Sequence, residues 1–188
     1  MGLDDFTLDY LLCYNSLRIW GENNMPKISE KKYKDIILYL ADQLGGEIKG
    51  KKKLAKLLYF VDFDYFEKFQ KSLTGDVYKA LPMGPFPVSM EKVLTDLVTE
   101  KKITVIREKM RDDFNPTEIY RVKNKVAGSF SKDELRVLDR VVLKYGHLSG
   151  KQLEDLTHAE APYIGTEPNQ EIAYELAFYR GTNTDEDA

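Results

Sequence analysis

Gly45 and Gly50 followed by Lys51 reproduce the spacing of a phosphate-binding loop, in which backbone amides wrap the phosphates and the lysine reaches the outer ones. That loop needs a strand before it and a Ser or Thr after the lysine, whereas a helical pattern precedes Gly45 and Lys52 follows Lys51. The glycines read better as a helix terminator beside a solvated cluster of Lys49, Lys51, Lys52 and Lys53. Contact of these lysines with nucleic acid is not favoured, because a cationic helix start opposes the helix dipole. His158, Glu160 and Pro162 match the opening of a zinc deaminase signature, but the chain has one cysteine, Cys13, where that signature needs a pair. His147 and His158 are the only histidines, so a metal would need carboxylates for its other ligands and no spacing fixes such a set. No metal and no cofactor is expected. Asp62 and Asp64, two apart on a helix, face nearly opposite ways and cannot flank one substrate. Asp62 follows the apolar face, so it must be paired or hydrogen-bonded, with Thr74-Gly75-Asp76 or a lysine as the available partner. Cys13 lacks a basic helper beyond Arg18 and reads as a small packed residue. No nucleophile, base and orienter can be placed together, so no catalytic residue is assigned.

The elements that position these groups follow from periodicity. Tyr33, Ile36, Ile37, Leu40, Ala41 and Leu44 predict a helix with Ser29 as N-cap and Gly45-Gly46 as terminator. A second helix carries Leu54, Leu57, Leu58, Val61 and Tyr65 on one face and Phe60, Phe63 and Phe66 on the rest, which makes it the central helix. Leu81-Pro-Met-Gly-Pro-Phe-Pro87 predicts a rigid loop, neither helical nor inside a sheet, because three prolines remove donors. A third helix runs from about Val88 to Lys101. Ile103 to Lys109 and Glu118 to Lys123 predict a hairpin with a polar tip. Ser131 with Glu134 and Ser149 with Gln152 are capping boxes opening two more helices, and a last helix is expected from Pro168 to just before Gly181. The fold class is mainly α with a small β-hairpin (α+β), and the order helix, helix, helix, hairpin is winged-helix-like.

At 188 residues, 43% of them hydrophobic, the chain can fill one core of ordinary size. No apolar run approaches the roughly 20 residues of a membrane-spanning helix, so a membrane protein is excluded and a cytoplasmic location expected. The net charge of −3 conceals an asymmetry: residues 1–25 carry −3, residues 26–150 carry +7 and residues 151–188 carry −7. Aromatic side chains are abundant, with 12 Tyr, 9 Phe and 1 Trp, and such residues serve interfaces well. The expected organisation is an aromatic-rich extension over residues 1–28, a domain over 29–180 and a frayed acidic tail over 181–188. The extension, with Phe6, Tyr10, Leu12, Tyr14 and Trp20, is expected to pack back on the core rather than anchor a partner.

Four segments in order resemble the Panacea domain of SocA-like antitoxins: Lys56-Leu-Leu-Tyr59-Phe-Val-Asp62-Phe-Asp64, Leu73-Thr74-Gly75-Asp76, Ala80-Leu-Pro82-Met83-Gly84-Pro85-Phe-Pro87, and Leu156-Thr-His158 with Ala161-Pro162-Tyr163. Met83 stands where the family usually has Tyr, and Tyr163 where it usually has Trp. The resemblance implies an antitoxin that neutralises a toxin encoded nearby by direct binding, commonly in bacterial or prophage pairs. One member presents its toxin to a ClpXP-type protease, and the family has no established catalytic residues. On this reading Asp62, Thr74, Gly75 and Asp76 fix the Pro82–Pro87 loop against the central helix, with His158 closing the same region, and Tyr59, Pro82, Met83, Gly84, Pro85 and Pro162 are further motif or partner-binding residues. The alternative from the hairpin and the basic core is a DNA-binding autorepressor whose wing carries Arg107, Lys109, Arg111 and Arg121 to phosphates. Asp112, Asp113 and Glu118 in that hairpin oppose it.

Overall fold

The computed structural model describes residues 28–109, 116–123 and 128–181; Cys13, the aromatic extension, the tip of the wing with Arg111 and the acidic tail lie outside them. Helix α1 (Glu30–Gln43) buries Tyr33, Ile36, Ile37, Leu40 and Ala41 along one stripe. Ser29 holds the N-cap position without a side-chain bond, and its N–H donates instead to the Thr74 carbonyl at 3.2 Å. Gly45 and Gly46 both take positive φ, 86° and 91°, and the Gly46 N–H closes the helix onto the Ala41 carbonyl.

Strand β1 (Glu47–Lys49) leads into α2 (Lys51–Phe69), the axis of the molecule. Every residue from Leu54 to Asp64 is buried, so three turns of helix are enclosed on all sides. Helices α4 (Lys132–Tyr145) and α5 (Gly150–His158), a second hairpin and a C-terminal 3-10 helix (Tyr174–Tyr179) surround it. Enclosure forces the polar residues of this stretch, Lys56, Asp62 and Asp64, to find partners inside the protein. The lysines of the first turn are bound as well: Lys51 to Glu91 at 2.7 Å, Lys52 to Glu154, and Lys53 to the Gly146 carbonyl at 2.6 Å. Carboxylates thus offset the unfavourable cationic helix start.

Helix α3 (Met90–Thr99) precedes β4 (Ile103–Glu108) and β5 (Thr117–Val122), and β5 pairs antiparallel with both β4 and β1 in the order β1-β5-β4. Helices and a small antiparallel sheet give the mixed α+β fold expected, with β1 as a third strand beside the expected hairpin. Both predicted capping boxes form, Ser131 with Glu134 and Ser149 with Gln152. No helix among the described residues is long and apolar enough to cross a membrane.

Two expectations are corrected. The proline-rich segment is not a loop: β2 (Tyr78–Leu81) and β3 (Gly84–Pro87) form a hairpin that turns at Pro82 and Met83. The prolines fit because Pro85 and Pro87 lie opposite Ala80 and Tyr78, whose own backbone groups turn outward, so no ladder bond needs a proline N–H. No helix starts at Pro168 either. The outward groups of β2 recruit residues 169–172, a turn at Pro168 and Asn169 followed by an isolated bridge at Glu171: Ala80 N–H donates to the Gln170 carbonyl, Asn169 N–H to Ala80, and Ile172 N–H to Tyr78, at 2.8 to 3.0 Å. An open strand edge thus overrides the helical pattern there, and after it come only the six residues of the 3-10 helix. A one-turn helix, α6 (Ala161–Ile164), follows α5.

Candidate functional site

The buried stretch of α2 presents three polar side chains in three directions, and each organises a different set of partners. Asp62 is inaccessible to solvent. Its Oδ1 accepts the N–H groups of Leu73 and Thr74, both at 2.8 Å, and its Oδ2 accepts the Thr74 hydroxyl and, at 2.8 Å, the Tyr78 hydroxyl. Burial pushes its carboxyl up to about 6, although these donors pull the other way. Gly75 takes φ 72°, which lets the chain reverse between Thr74 and Asp76. Asp76 accepts the Tyr33 hydroxyl at 2.9 Å and the N–H groups of Val77 and Ser89. The Tyr174 hydroxyl donates to the Asp76 carbonyl at 2.7 Å. The Thr74-Gly75-Asp76 turn therefore ties α1, α2, β2, the start of α3 and the 3-10 helix together. Asp62, with four donors on two oxygens, is saturated as an acceptor and has no lone pair directed at a substrate.

Lys56 points to the tip of the second hairpin. It is 1% exposed, and its Nζ donates to the Pro85 carbonyl at 2.7 Å. Burial holds its ammonium down to about 7, with Glu154 pulling upward and Lys52 adding to the depression. Gly84, at φ 88°, closes over it: a Cβ there would stand 2.7 Å from Lys56 Nζ and 2.9 Å from Thr157 Oγ1. Next to this contact His158 stacks on Tyr163, ring centres 4.4 Å apart, and the Tyr163 hydroxyl donates to the Leu81 carbonyl at 2.9 Å. His158 Nε2 is buried without a hydrogen-bond partner among the described residues, and desolvation lowers its pKa. Pro162 is buried in the first turn of α6, while Pro82 and Met83 are exposed at the hairpin turn.

Asp64 points to the C-terminus. Arg180, fully buried, donates to Asp64 Oδ1 at 2.7 Å and to Glu160 Oε1 at 2.9 Å. It lies 5.7 and 5.6 Å from the ring centres of Tyr59 and Phe60, and the Tyr59 hydroxyl donates to Glu160 Oε2 at 2.8 Å.

The expected residues thus divide. Asp62, Thr74, Gly75 and Asp76 come together at the base of the second hairpin. Pro82, Met83, Gly84, Pro85, His158 and Pro162 gather at its tip, and Tyr59 belongs to the Arg180 group. His158 does not close the Asp62 region, since it neighbours Lys56, about 9 Å of helix axis from Asp62. Sequence reasoning missed Lys56, Asp64, Glu160 and Arg180 as a functional set. One signal was available for the last pair: after Lys151, Arg180 is the only cation of the chain, and a helix apolar all round cannot leave Asp64 unpaired.

Two of the cations proposed for a nucleic-acid wing, Arg107 and Arg121, face carboxylates, and Arg111 lies outside the described residues. Arg107 meets Glu118 at 3.3 Å and Arg121 meets Glu47 at 2.8 Å. Outward positions of α3 include Glu91 and Thr95, with Glu100 just past its end, and Lys92 there is paired with Glu30. This is a poor surface for a phosphate backbone. Among the described residues no group of three or more His, Cys, Asp or Glu is placed to hold a metal.

The family described as antitoxin SocA-like, Panacea domain, matches residues 54–163, more than half of the chain and the whole span from Lys56 to Pro162. No curated protein and no solved structure matches.

Proposed function

The chain belongs to the SocA-like antitoxin family with the Panacea domain, and from that membership we propose that it neutralises a partner toxin by binding it directly, without a chemical step. The family match carries this reading. The state of the buried polar groups supports it: Asp62 and Asp76 are filled by donors of the protein itself, Glu160 is held by Arg180 and Tyr59, and Asp64 is tied through Oδ1 to Arg180. Groups held this way fix a shape and do not turn over a substrate. The toxin is the product of a neighbouring bacterial or prophage gene, and the meeting takes place in the cytoplasm. Delivery of the bound toxin to a ClpXP-type protease is a variant of the same reading.

The test expresses the adjacent open reading frame with and without this protein in one host. Growth arrest by the neighbour alone, rescue by co-expression and co-purification of the two proteins are expected. A harmless neighbour, or one that stays toxic beside soluble antitoxin, overturns the reading. A protease variant would show rescue that disappears in a host lacking the protease.

The winged-helix-like order read in the sequence favours a second reading, repression of its own operon. Mobility shifts on upstream DNA at several salt concentrations separate the two, because phosphate contacts weaken as salt rises. With Arg107, Arg121 and Lys92 committed to carboxylates, no specific shift is expected.

A further inference from the structure

Between Gln152 and Gly181 the chain has six carboxylates and one Lys or Arg, Arg180, and Arg180 is buried between Asp64 and Glu160. The exposed charge of this segment is therefore negative, at Asp155, Glu167, Glu171 and Glu175. Lys151 binds Asp155 at 2.7 Å, and Lys79 stands opposite Glu171 in a β-bridge. Glu167 and Glu175 have no ion pair among the described residues.

Glu167 stands beside apolar ground. A groove of about 750 Å³ runs between α6 and the 3-10 helix, lined by the apolar Ala161, Ile164, Leu176 and Tyr179 together with the mutually paired Glu160 and Arg180. Ile164 is 69% exposed and Tyr179 75%. A second cleft of about 400 Å³ shares Ile164 and Gly165 with it and continues past Glu167 to His158 and Tyr163. Glu175 precedes the groove residue Leu176. Adjacent exposed apolar side chains over a groove, edged by charge, are the composition of an interface.

We propose that this face receives the toxin, and that the part of the toxin seated there is a cationic amphipathic segment, its apolar side chains in the groove and its Lys or Arg on Glu167 and Glu175. The proposal rests on the antitoxin reading and names the partner's chemistry. Other occupants fit worse on charge. Residues 1–25 carry −3, and the terminal Thr-Asn-Thr-Asp-Glu-Asp-Ala is acidic, so each would set carboxylates against carboxylates. A second copy docking face to face would do the same. An opposite charge is what the rim selects, and it also speeds encounter.

Two variants test it in the full chain: Glu167→Lys with Glu175→Lys, and Ile164→Ser. All three positions are exposed, and melting curves confirm that the variants fold. Affinity for the neighbouring gene's toxin is measured by calorimetry. In parallel, two labelled peptides with the same leucine stripe, one with lysines and one with glutamates on the polar face, are titrated by fluorescence anisotropy. The double reversal is expected to weaken toxin binding by about tenfold or more, mostly at low salt, and to switch preference from the lysine to the glutamate peptide. Ile164→Ser is expected to weaken both toxin and lysine-peptide binding. If wild type rescues growth and both variants bind toxin unchanged, the face is wrong and the antitoxin reading survives. If wild type fails to rescue, that reading fails on its own evidence, and the peptides still decide: equal binding of both, or of neither, overturns the proposal.

Discussion

Asp62 shows how a residue that looks catalytic becomes structural. Its burial demands donors, and the turn that carries Thr74 supplies three of the four, with Tyr78 the last. Asp62→Ala leaves these donors facing a void, so it is expected to cost about 3 to 5 kcal/mol, read by urea denaturation; a loss below about 1 kcal/mol contradicts the clamp. The need for partners was legible in the sequence, and so was the Thr74-Gly75-Asp76 turn that provides two of the four. Lys56 was not legible. Its acceptor, the Pro85 carbonyl, is 29 residues away, and no local pattern marks a lysine for burial. It gives a pH signature. In the folded chain its ammonium titrates near 7, against about 10.4 in an unfolded chain. The unfolded state therefore binds more protons between these values, and stability rises with pH across that window. Relative to Lys56→Met, wild type is expected to gain up to about 1.4 kcal/mol per pH unit from pH 7 to 9. Parallel curves for the two proteins contradict the assignment. Asp62 acts in the opposite sense, because burial raises its carboxyl to about 6: the folded state keeps a proton that the unfolded chain releases near 4, so its contribution falls as pH rises from about 4 to 6.

Among the elements, those whose signal is internal were legible: α1, α2 and α3 by their apolar residues at helical spacing, α4 and α5 by their capping boxes, β4 and β5 by their runs of β-forming residues. The misreadings share a cause. Whether Leu81 to Pro87 can be a strand depends on which side of each residue its partner lies, and whether residues 168–181 form a helix depends on the open edge of β2. Both are tertiary facts. The register makes a sharp prediction for the second hairpin. Phe86 pairs with Lys79 at a position whose backbone groups face across the hairpin, whereas Pro85 opposes Ala80, whose groups face outward. Phe86→Pro is expected to cost about 2 kcal/mol or more by losing a ladder bond, while Pro85→Ala changes stability by less than about 1 kcal/mol. Equal effects in denaturation curves would mean the register is wrong.

At the scale of the molecule, the charge asymmetry of the sequence resolves into two arrangements. Cations of the middle segment are met by carboxylates, as at Lys51, Lys52, Arg107 and Arg121. The C-terminal segment spends Arg180 in the core and leaves its acids outward. Arg180→Met takes the main counter-charge from Asp64 and Glu160, leaving Arg140 at 4.0 Å from the one and the Tyr59 hydroxyl on the other, and is expected to cost about 3 kcal/mol. Adding Asp64→Asn to that variant should restore part of the loss, and a double variant no more stable than the single one contradicts the pairing. The family match ends at residue 163, so a fragment cut to the matched span would lack this cation and the 3-10 helix that covers α2. Asp64 and Arg180 are separated by 116 positions. A ribosome making this chain releases the aspartate long before its counter-charge, and the nascent α2 waits, with a carboxylate and part of its apolar surface uncovered, until residue 180 has emerged. The core of α2 closes only once the segment carrying Arg180 and the 3-10 helix has been made.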